Sequence, residues 1–340
     1  MKSTALRLLA LTLALLGNRA SAQIIIPINN SGQQTFAVDY ARHLLFAGEN
    51  GPTSHHLNVI NTLTNTVVGS YSYVGGGWSS QIDVSGNNVV WADQGDSLVR
   101  VIAVSNAGVP TLTRTDSATL ATGVAGLPST YAVSMQGTGD LLKIMNTSTG
   151  IQVGSSISLG GVAGGIFSDS NTNRFYARST NSFKVIDATN GAVLSTLAGF
   201  VQAVDSSPSH NFVYFLSGAN TQQLLQLNGV TNSQTAFYDF GAGASVTYVT
   251  TDPLTGNVFV GLQSQNRVVE LSSGMAFVQQ FSLTSPEALA YADGELFVHL
   301  TGTTSFSVLA IPEPGTTQLL LGGLAMLTFI RLRRTVHPAA

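Results

Sequence analysis

Between Gln23 and Ile311 the apolar positions fall into short runs separated by Gly, Ser, Thr, Asn and Asp. One pattern recurs, an aromatic residue flanked by apolar ones, as in LLFAG, VVWAD, TYAVS, RFYAR, FVYFL, NVFVG and ELFVH. The seven aromatics are Phe46, Trp91, Tyr131, Tyr176, Tyr214, Phe259 and Phe297, spaced by 45, 40, 45, 38, 45 and 38 residues. A second apolar run follows each one: LNVIN, VRVIA, LLKIM, FKVID, LLQLN, RVVEL and FSVLA. Turn formers such as Thr64-Asn65, Thr149-Gly150 and Asn190-Gly191 usually come next, and a further strand is clearest at Ala192–Leu197 and Phe277–Leu283. Ahead of the aromatic runs lie FAVDY, SQIDV, GGIFSD, AVDSS, TYVTTD and ALAYAD. Short apolar runs bounded by turn residues read as β-strands, and no helical periodicity of useful length interrupts them.

Four short strands in roughly 42 residues, repeated seven times, predict an all-β, seven-bladed β-propeller. A single four-stranded blade exposes an apolar face, and a ring of blades buries each face against its neighbour. The seventh unit ends early, after Ala288–Ala292, Glu295–Leu300 and Ser305–Ile311. Its missing outer strand is predicted at the start of the chain, where Ile24-Ile25-Ile26-Pro27-Ile28 is expected to pair with Ser305–Ile311 and close the ring. Pro27 suits an edge strand, which can spare one N–H. A six-bladed ring with a leftover hairpin is the alternative.

The two ends read differently from the middle. Residues 1–22 have the layout of an export signal: Lys2 and Arg7, the apolar run Leu8–Leu16, then Ala20-Ser21-Ala22 as a cleavage site. At the other end Pro312-Glu313-Pro314 precedes an uncharged stretch, Gly315–Ile330, and then Arg331, Arg333 and Arg334. This stretch is expected to form one C-terminal transmembrane helix, a marginal one, because a full span takes about 20 residues. The arginines would stop it at the cytoplasmic side. The expected layout is signal peptide 1–22, propeller 23–311 and sorting or anchor segment 312–340.

The tail, with Ile311-Pro312-Glu313-Pro314, the run Leu319–Ala325 and Arg331-Leu332-Arg333-Arg334, resembles the PEP-CTERM sorting signal. That resemblance implies an exosortase-type membrane protease as partner, a bacterial cell making exopolysaccharide, and transient inner-membrane anchoring before release to the cell surface or matrix. The repeats, in Leu57–Gly69, Phe183–Leu197 and Val258–Gly261, resemble the YVTN-type β-propeller family. Its lactonase-like and quinoprotein relatives include enzymes, electron-transfer partners and surface proteins, so the resemblance implies the architecture more than an activity.

Composition narrows the chemistry. Charged residues are 9% of the chain, against about 25% in an ordinary domain. With 14 Lys+Arg against 17 Asp+Glu there is no cationic surface for nucleic acid, and with no cysteine there is neither a disulfide nor a thiolate metal site. Residues 23–311 hold 8 basic and 16 acidic residues, a net charge of −8 that repels anionic surfaces. Ligands are expected on the face built from the loops between second and third strands and between blades. Candidates there are Trp78, able to stack on a sugar, and His55, His56, Asp93 and Asp96. His55 and His56 are adjacent and point to opposite sides of a strand, which disfavours a shared metal. Asp93 and Asp96 lack the rest of a calcium loop. There is no nucleophile elbow, carboxylate pair or phosphate loop, so neither a catalytic residue, a metal nor a cofactor is expected. The expected role is a non-catalytic module binding a polysaccharide or a protein. An exported lactonase-like or quinoprotein-like enzyme is the alternative.

Overall fold

Each of the seven aromatic-bearing runs forms the second strand of a four-stranded antiparallel sheet, and all seven aromatic side chains are completely buried. The computed structural model describes residues 24–28, 33–50, 54–75, 79–137, 139–180, 182–198, 200–207, 210–217 and 222–311. Strand β1 (Ile24–Pro27) precedes the first complete blade, which holds β2 (Gln33–Asp39), β3 (Leu44–Asn50), β4 (Ser54–Asn61) and β5 (Thr66–Val74). Blade 2 is β6 (Ser79–Ser85), β7 (Asn88–Asp93), β8 (Leu98–Val104) and β9 (Pro110–Ser117). Blade 3 is β10 (Ala121–Gly126), β11 (Thr130–Met135), β12 (Leu141–Asn146) and β13 (Gln152–Ser158). Blade 4 is β14 (Ile166–Asp169), β15 (Arg174–Ser179), β16 (Ser182–Asp187) and β17 (Val193–Ala198). Blade 5 is β18 (Phe200–Ser207), β19 (Phe212–Ser217), β20 (Gln223–Asn228) and β21 (Gln234–Asp239). Blade 6 is β22 (Val246–Thr251), β23 (Val258–Leu262), β24 (Arg267–Leu271) and β25 (Phe277–Ser282). Blade 7 has β26 (Pro286–Ala292), β27 (Glu295–Leu300) and β28 (Ser305–Ala310).

The first strands β2, β6, β10, β14, β18, β22 and β26 each touch the next, and β26 touches β2, so the compact unit Ile24–Val308 is a closed ring of seven blades. Blade 7 takes its outer strand from the start of the chain. Ile24 pairs with Val308 and Pro27 with Ser305, antiparallel, in sheet order β1-β28-β27-β26. That is the closure expected from the sequence, and it excludes the six-bladed alternative. Pro27 sits on the free outer edge, where its missing N–H costs no ladder bond.

Burial runs between blades rather than within one. Phe46, Leu57 and Val59 of blade 1 share a core with Ile82, Val89, Trp91 and Ile102 of blade 2. Ile26, Phe306 and Val308 of blade 7 pack against Leu45, Ala47 and Ile60 of blade 1. The closing strand therefore seals the last gap between sheets as well as completing a ladder.

Two local devices shape the blades. At the turns between third and fourth strands, Asn61, Asn146 and Asn228 each accept, through Oδ1, the N–H groups two and three residues on, at 2.9–3.0 Å. Asn65, Gly150 and Asn232 then take the left-handed conformation that lets the outer strand return. On the inner side, a Cβ on Gly126 would lie 2.0 Å from the Val84 carbonyl oxygen, and one on Gly123 would lie 2.9 Å from Gly165 Cα. Only glycine admits that approach of β10 to the inner strands of blades 2 and 4. Gln81 then reaches past β10, donating Nε2–H to the Ile166 carbonyl at 2.7 Å.

First strands run towards the turns that join first to second and third to fourth strands, here named the turn face. The opposite, loop face carries the second-to-third and blade-to-blade loops. Because β28 is a third strand and β1 a fourth, the paired positions Ile24 and Val308 both lie at the turn face. Among the described residues the one helical element is a 3-10 turn, Gln263–Gln265, and no helix is long and apolar enough to cross a membrane. The expected signal peptide, Pro312-Glu313-Pro314, the apolar stretch and Arg331, Arg333 and Arg334 lie outside the described residues.

Ile26 and Ile25 test the closure as a pair. Ile26, 2% exposed, faces the seam, whereas Ile25, 62% exposed, faces solvent. Ile26→Ala is expected to cost about 2–4 kcal/mol in urea unfolding, and Ile25→Ala no more than about 0.5 kcal/mol.

Candidate functional site

Three of the residues singled out in the sequence, His55, Asp93 and Asp96, meet on the loop face between blades 1 and 2. His55 opens β4 and is fully buried. Its ring stacks on Tyr73, near the end of β5, at 4.7 Å between centroids, and both rings meet Trp91 edge-on. Asp93 ends β7 and is also fully buried; Asp96 follows in the loop to β8. Arg100, on β8, joins the set. Its Nη2 donates to Asp93 Oδ2 at 3.1 Å and to Asp96 Oδ2 at 2.8 Å, and its Cζ stands 3.5 Å above the Tyr73 ring centroid. Asp93 also accepts the Asp96 N–H at 3.0 Å. Burial first, and the Asp93 carboxylate second, push the Tyr73 phenol well above its ordinary value.

The arrangement is a guanidinium sandwiched between two carboxylates and an aromatic face. It satisfies Asp93 and Asp96 from within the fold. His56, one residue on, is half-buried and sits opposite Glu49 and Ser72 in the sheet, so the two histidines diverge as the strand alternation requires. A Cβ on Gly75 would lie 2.9 Å from Tyr73 and 3.3 Å from His55, which shows how closely the blade-to-blade loop begins against this cluster. Trp78, three residues further, lies outside the described residues. Among the described residues no group of three His, Asp or Glu side chains is placed to hold a metal ion.

A second feature is the central channel. It encloses about 570 Å³ between the inner strands and opens at the turn face, where Tyr40, Ala41, Gly86, Pro128 and Ser170 line it. Asp39 and Asp83 stand in its wall. Asp39 is bound to Arg42, at 2.6 Å from Nε to Oδ2. Asp83 bridges three blades: its carboxylate accepts Val84 N–H at 2.7 Å and Gly126 N–H at 2.8 Å, and Ser168 Oγ lies 3.5 Å away. Burial raises its carboxyl to about 6, against the lowering effect of those donors.

Arg100, Tyr73 and Asp83 went unnoticed in the sequence. Arg100 is an unremarked charge within VRVIA, seven residues beyond Asp93. Asp83 stands two residues before the end of β6, whereas Asp39 and Asp169 close their inner strands and Asp252 follows β22. Asp169 and Asp252 spend their oxygens on their own turns, accepting from Asn171 and Thr172 and from Leu254 and Thr255. Asp83 precedes the short turn Gly86-Asn87 and reaches the next blades instead.

Neither family models nor curated proteins match this sequence. Solved structures do. A chain of the "Crystal Structure of Mitotic Checkpoint Complex" is similar over 85% of this chain and 94% of its own, with a TM-score of 0.66 and 12% identity. A chain of Kuenenia stuttgartiensis hydrazine synthase is similar over 86% and 98%, with a TM-score of 0.67 and 12% identity. At that identity the likeness shows the seven-bladed fold and nothing of the chemistry.

Removing Arg100 would leave Asp93 buried without its cation, so Arg100→Met is expected to destabilise the protein by about 3–5 kcal/mol in urea unfolding. Adding Asp93→Asn should recover part of that loss. Asp83 carries a pH dependence. Its carboxyl holds a proton more tightly folded than unfolded, so between about pH 4 and pH 6 the folded state binds the extra proton and stability falls as pH rises. The loss from this group is on the order of 2–3 kcal/mol between pH 4 and pH 7. Urea midpoints across that range should show it in the wild type and show it flattened in Asp83→Asn.

Proposed function

We propose that this protein is an exported, cell-surface or matrix-associated propeller serving as a non-catalytic binding or scaffold module for a polysaccharide or another protein. The observation that carries this reading is the closed charge set on the loop face. Asp93 and Asp96 both bind Arg100, and Arg100 lies on Tyr73, so these charges are spent on the scaffold. Other loops of this face, such as Leu262–Asn266 and Leu300–Thr304, are neutral and polar. Such loops hydrogen-bond hydroxyl-rich ligands, and Trp78 in the loop that begins at Gly75 supplies a stacking ring.

The sorting part of the proposal rests on the order of the tail: Pro312-Glu313-Pro314, the uncharged Gly315–Ile330, then Arg331, Arg333 and Arg334. Two prolines hold the motif extended, as a protease substrate requires. An exosortase-type protease is the proposed partner, with exopolysaccharide or a surface protein as the ligand at the final location. The YVTN-like repeat pattern adds the family context.

One observation favours a second reading, an exported lactonase-like or quinoprotein-like enzyme. Asp83 sits in the channel wall with its carboxyl raised to about 6, near the range useful for proton transfer. The two structural neighbours bear on neither reading, one being named for a complex and the other for an enzyme.

Glycan-array binding of the wild type is expected to weaken about tenfold or more in Trp78→Ala, the scale of one lost stacking contact. Equal binding by both would overturn the ligand face. Mass spectrometry of the mature protein should find a C-terminus near Pro312-Glu313-Pro314, and a tail intact to Ala340 would overturn sorting. Turnover of a lactone or quinone-linked substrate, abolished in Asp83→Asn, would favour the enzyme.

A further inference from the structure

The two faces of the ring differ in a way the proposed ligand site does not explain. The six third-to-fourth-strand turns, residues 62–65, 105–109, 147–151, 188–192, 229–233 and 272–276, contain no charged side chain. Their tips and a neighbouring turn present large apolar groups to solvent: Leu63, Val109, Ile151, Val230 and Leu254, from 54% exposed at Val230 to 81% at Leu254. A physical device extends this set onto the rim. A β-bulge follows the turn on the outer strand of blades 1, 4 and 6, so two successive residues face outward. They are Val67-Val68, Val193-Leu194 and Phe277-Val278, all exposed. In blade 7 the exposed Ile24 and Ile25 open the outer strand at the same level. Charged groups near this face are engaged at the base of the turns: Asp39 with Arg42, Asp293 with His43, Asp169, Asp187 and Asp252 within their own turns, Glu270 with Asn257 and Gln279, Glu295 with Asn65, and Arg174 with the Val230 carbonyl. On the loop face, Asp140, Arg178 and Arg267 stand beside the Asp93–Asp96–Arg100 set.

Scattered exposed apolar residues need no explanation, but charge-free turn tips that project as a ring of apolar groups, above charges that are engaged at their base, do. The course of the chain names what covers it. β28 ends at Ala310 on this face, and only residues 311–314 separate it from the uncharged stretch Gly315–Ile330. Four extended residues reach at most about 14 Å. We infer that the turn face lies against a lipid bilayer, its apolar turn tips seated in the headgroup region, with the loop face turned outward. This inference rests on the membrane-anchor reading of the tail. The lipid is zwitterionic, because a ring of net charge −8 is repelled by an anionic surface.

The absence of cysteine makes the test direct. Single cysteines are introduced into the full chain at Ile151→Cys and Leu254→Cys on the turn face, Val162→Cys on the loop face and Leu321→Cys in the tail. Each is labelled with a polarity-sensitive fluorophore and reconstituted in phosphatidylcholine vesicles containing a lipid spin-labelled near the headgroup. Ile151 and Leu254 should be quenched several-fold more than Val162, with blue-shifted emission; Leu63→Cys replaces either if it fails to fold. Quenching no greater at the turn tips than at Val162 overturns the inference. The Leu321 probe tells the two claims apart: quenched with silent turn tips, it leaves the anchor standing and removes the lipid-seated face. If Leu321 is unquenched, the anchor reading fails, and quenched turn tips would then hold the face to lipid by themselves.

Discussion

Sheet-on-sheet packing around a closed circle is the constraint on which everything else in this protein depends. A blade such as β2–β5 has one apolar face towards each neighbour, and its second-strand aromatic, Phe46, is buried only because blade 2 supplies Ile82 and Trp91 opposite. Seven such interfaces stabilise the ring, and any gap would expose two faces at once. The β1–β28 ladder and the Ile26 contact with blade 1 close the final one. Closure also removes the inner edges from solvent, leaving only outer strands unpaired.

The scarcity of charge follows from this geometry. Strand positions that point at another sheet are mostly apolar on both faces, which leaves few places for ionisable groups. Those that are buried come with partners. Arg100 is held by Asp93, Asp96 and the Tyr73 ring, and Arg42 by Asp39. Arg114 binds Asp116 at 2.7 Å, and Asp116 also accepts the Tyr131 hydroxyl. Arg42 also donates to the Val104 carbonyl and Arg114 to the Thr147 carbonyl, so these cations tie neighbouring blades. Asp83 is the departure: its oxygens bridge three blades through backbone and hydroxyl donors, with burial opposing its ionisation.

Strand polarity then makes the two faces unequal. Turn residues are set by hydrogen bonds that Asn61, Asn146 and Asn228 accept, which need no charge, and β1 begins where β28 ends on that side. The longer loops opposite are free to carry ionic and hydrogen-bonding groups. A module tethered from one side and binding on the other is the division of labour proposed here, with the channel opening towards the tethered side.

Most of the architecture was legible in the residues because a blade repeats its burial pattern, and a repeat of seven buried aromatics survives when the flanking sequence drifts. The incomplete seventh unit and the Ile24–Ile28 run even specified the closure. The inner strand of blade 3, Ala-Thr-Gly-Val-Ala-Gly, escaped notice, since the close approach of neighbouring backbones there demands glycine, which erases the strand signal. Asn146 builds its turn through two Oδ1 hydrogen bonds that the apolar periodicity does not signal. Sequence alone determined the blade count and the strand that closes the ring, both read from the repeat and its incomplete last unit. Tertiary structure alone decided that His55, Tyr73, Asp93 and Arg100 share one cluster while His56 leaves it, and that Asp83 bridges Gly126 and Ser168. The Arg100–Tyr73 stack and the Asp83 contacts join different blades, whereas His55 with Tyr73 and Arg100 with Asp93 join neighbouring strands of one blade; the separations across blades depend on the twist and spacing of packed sheets, which no periodicity along the chain encodes.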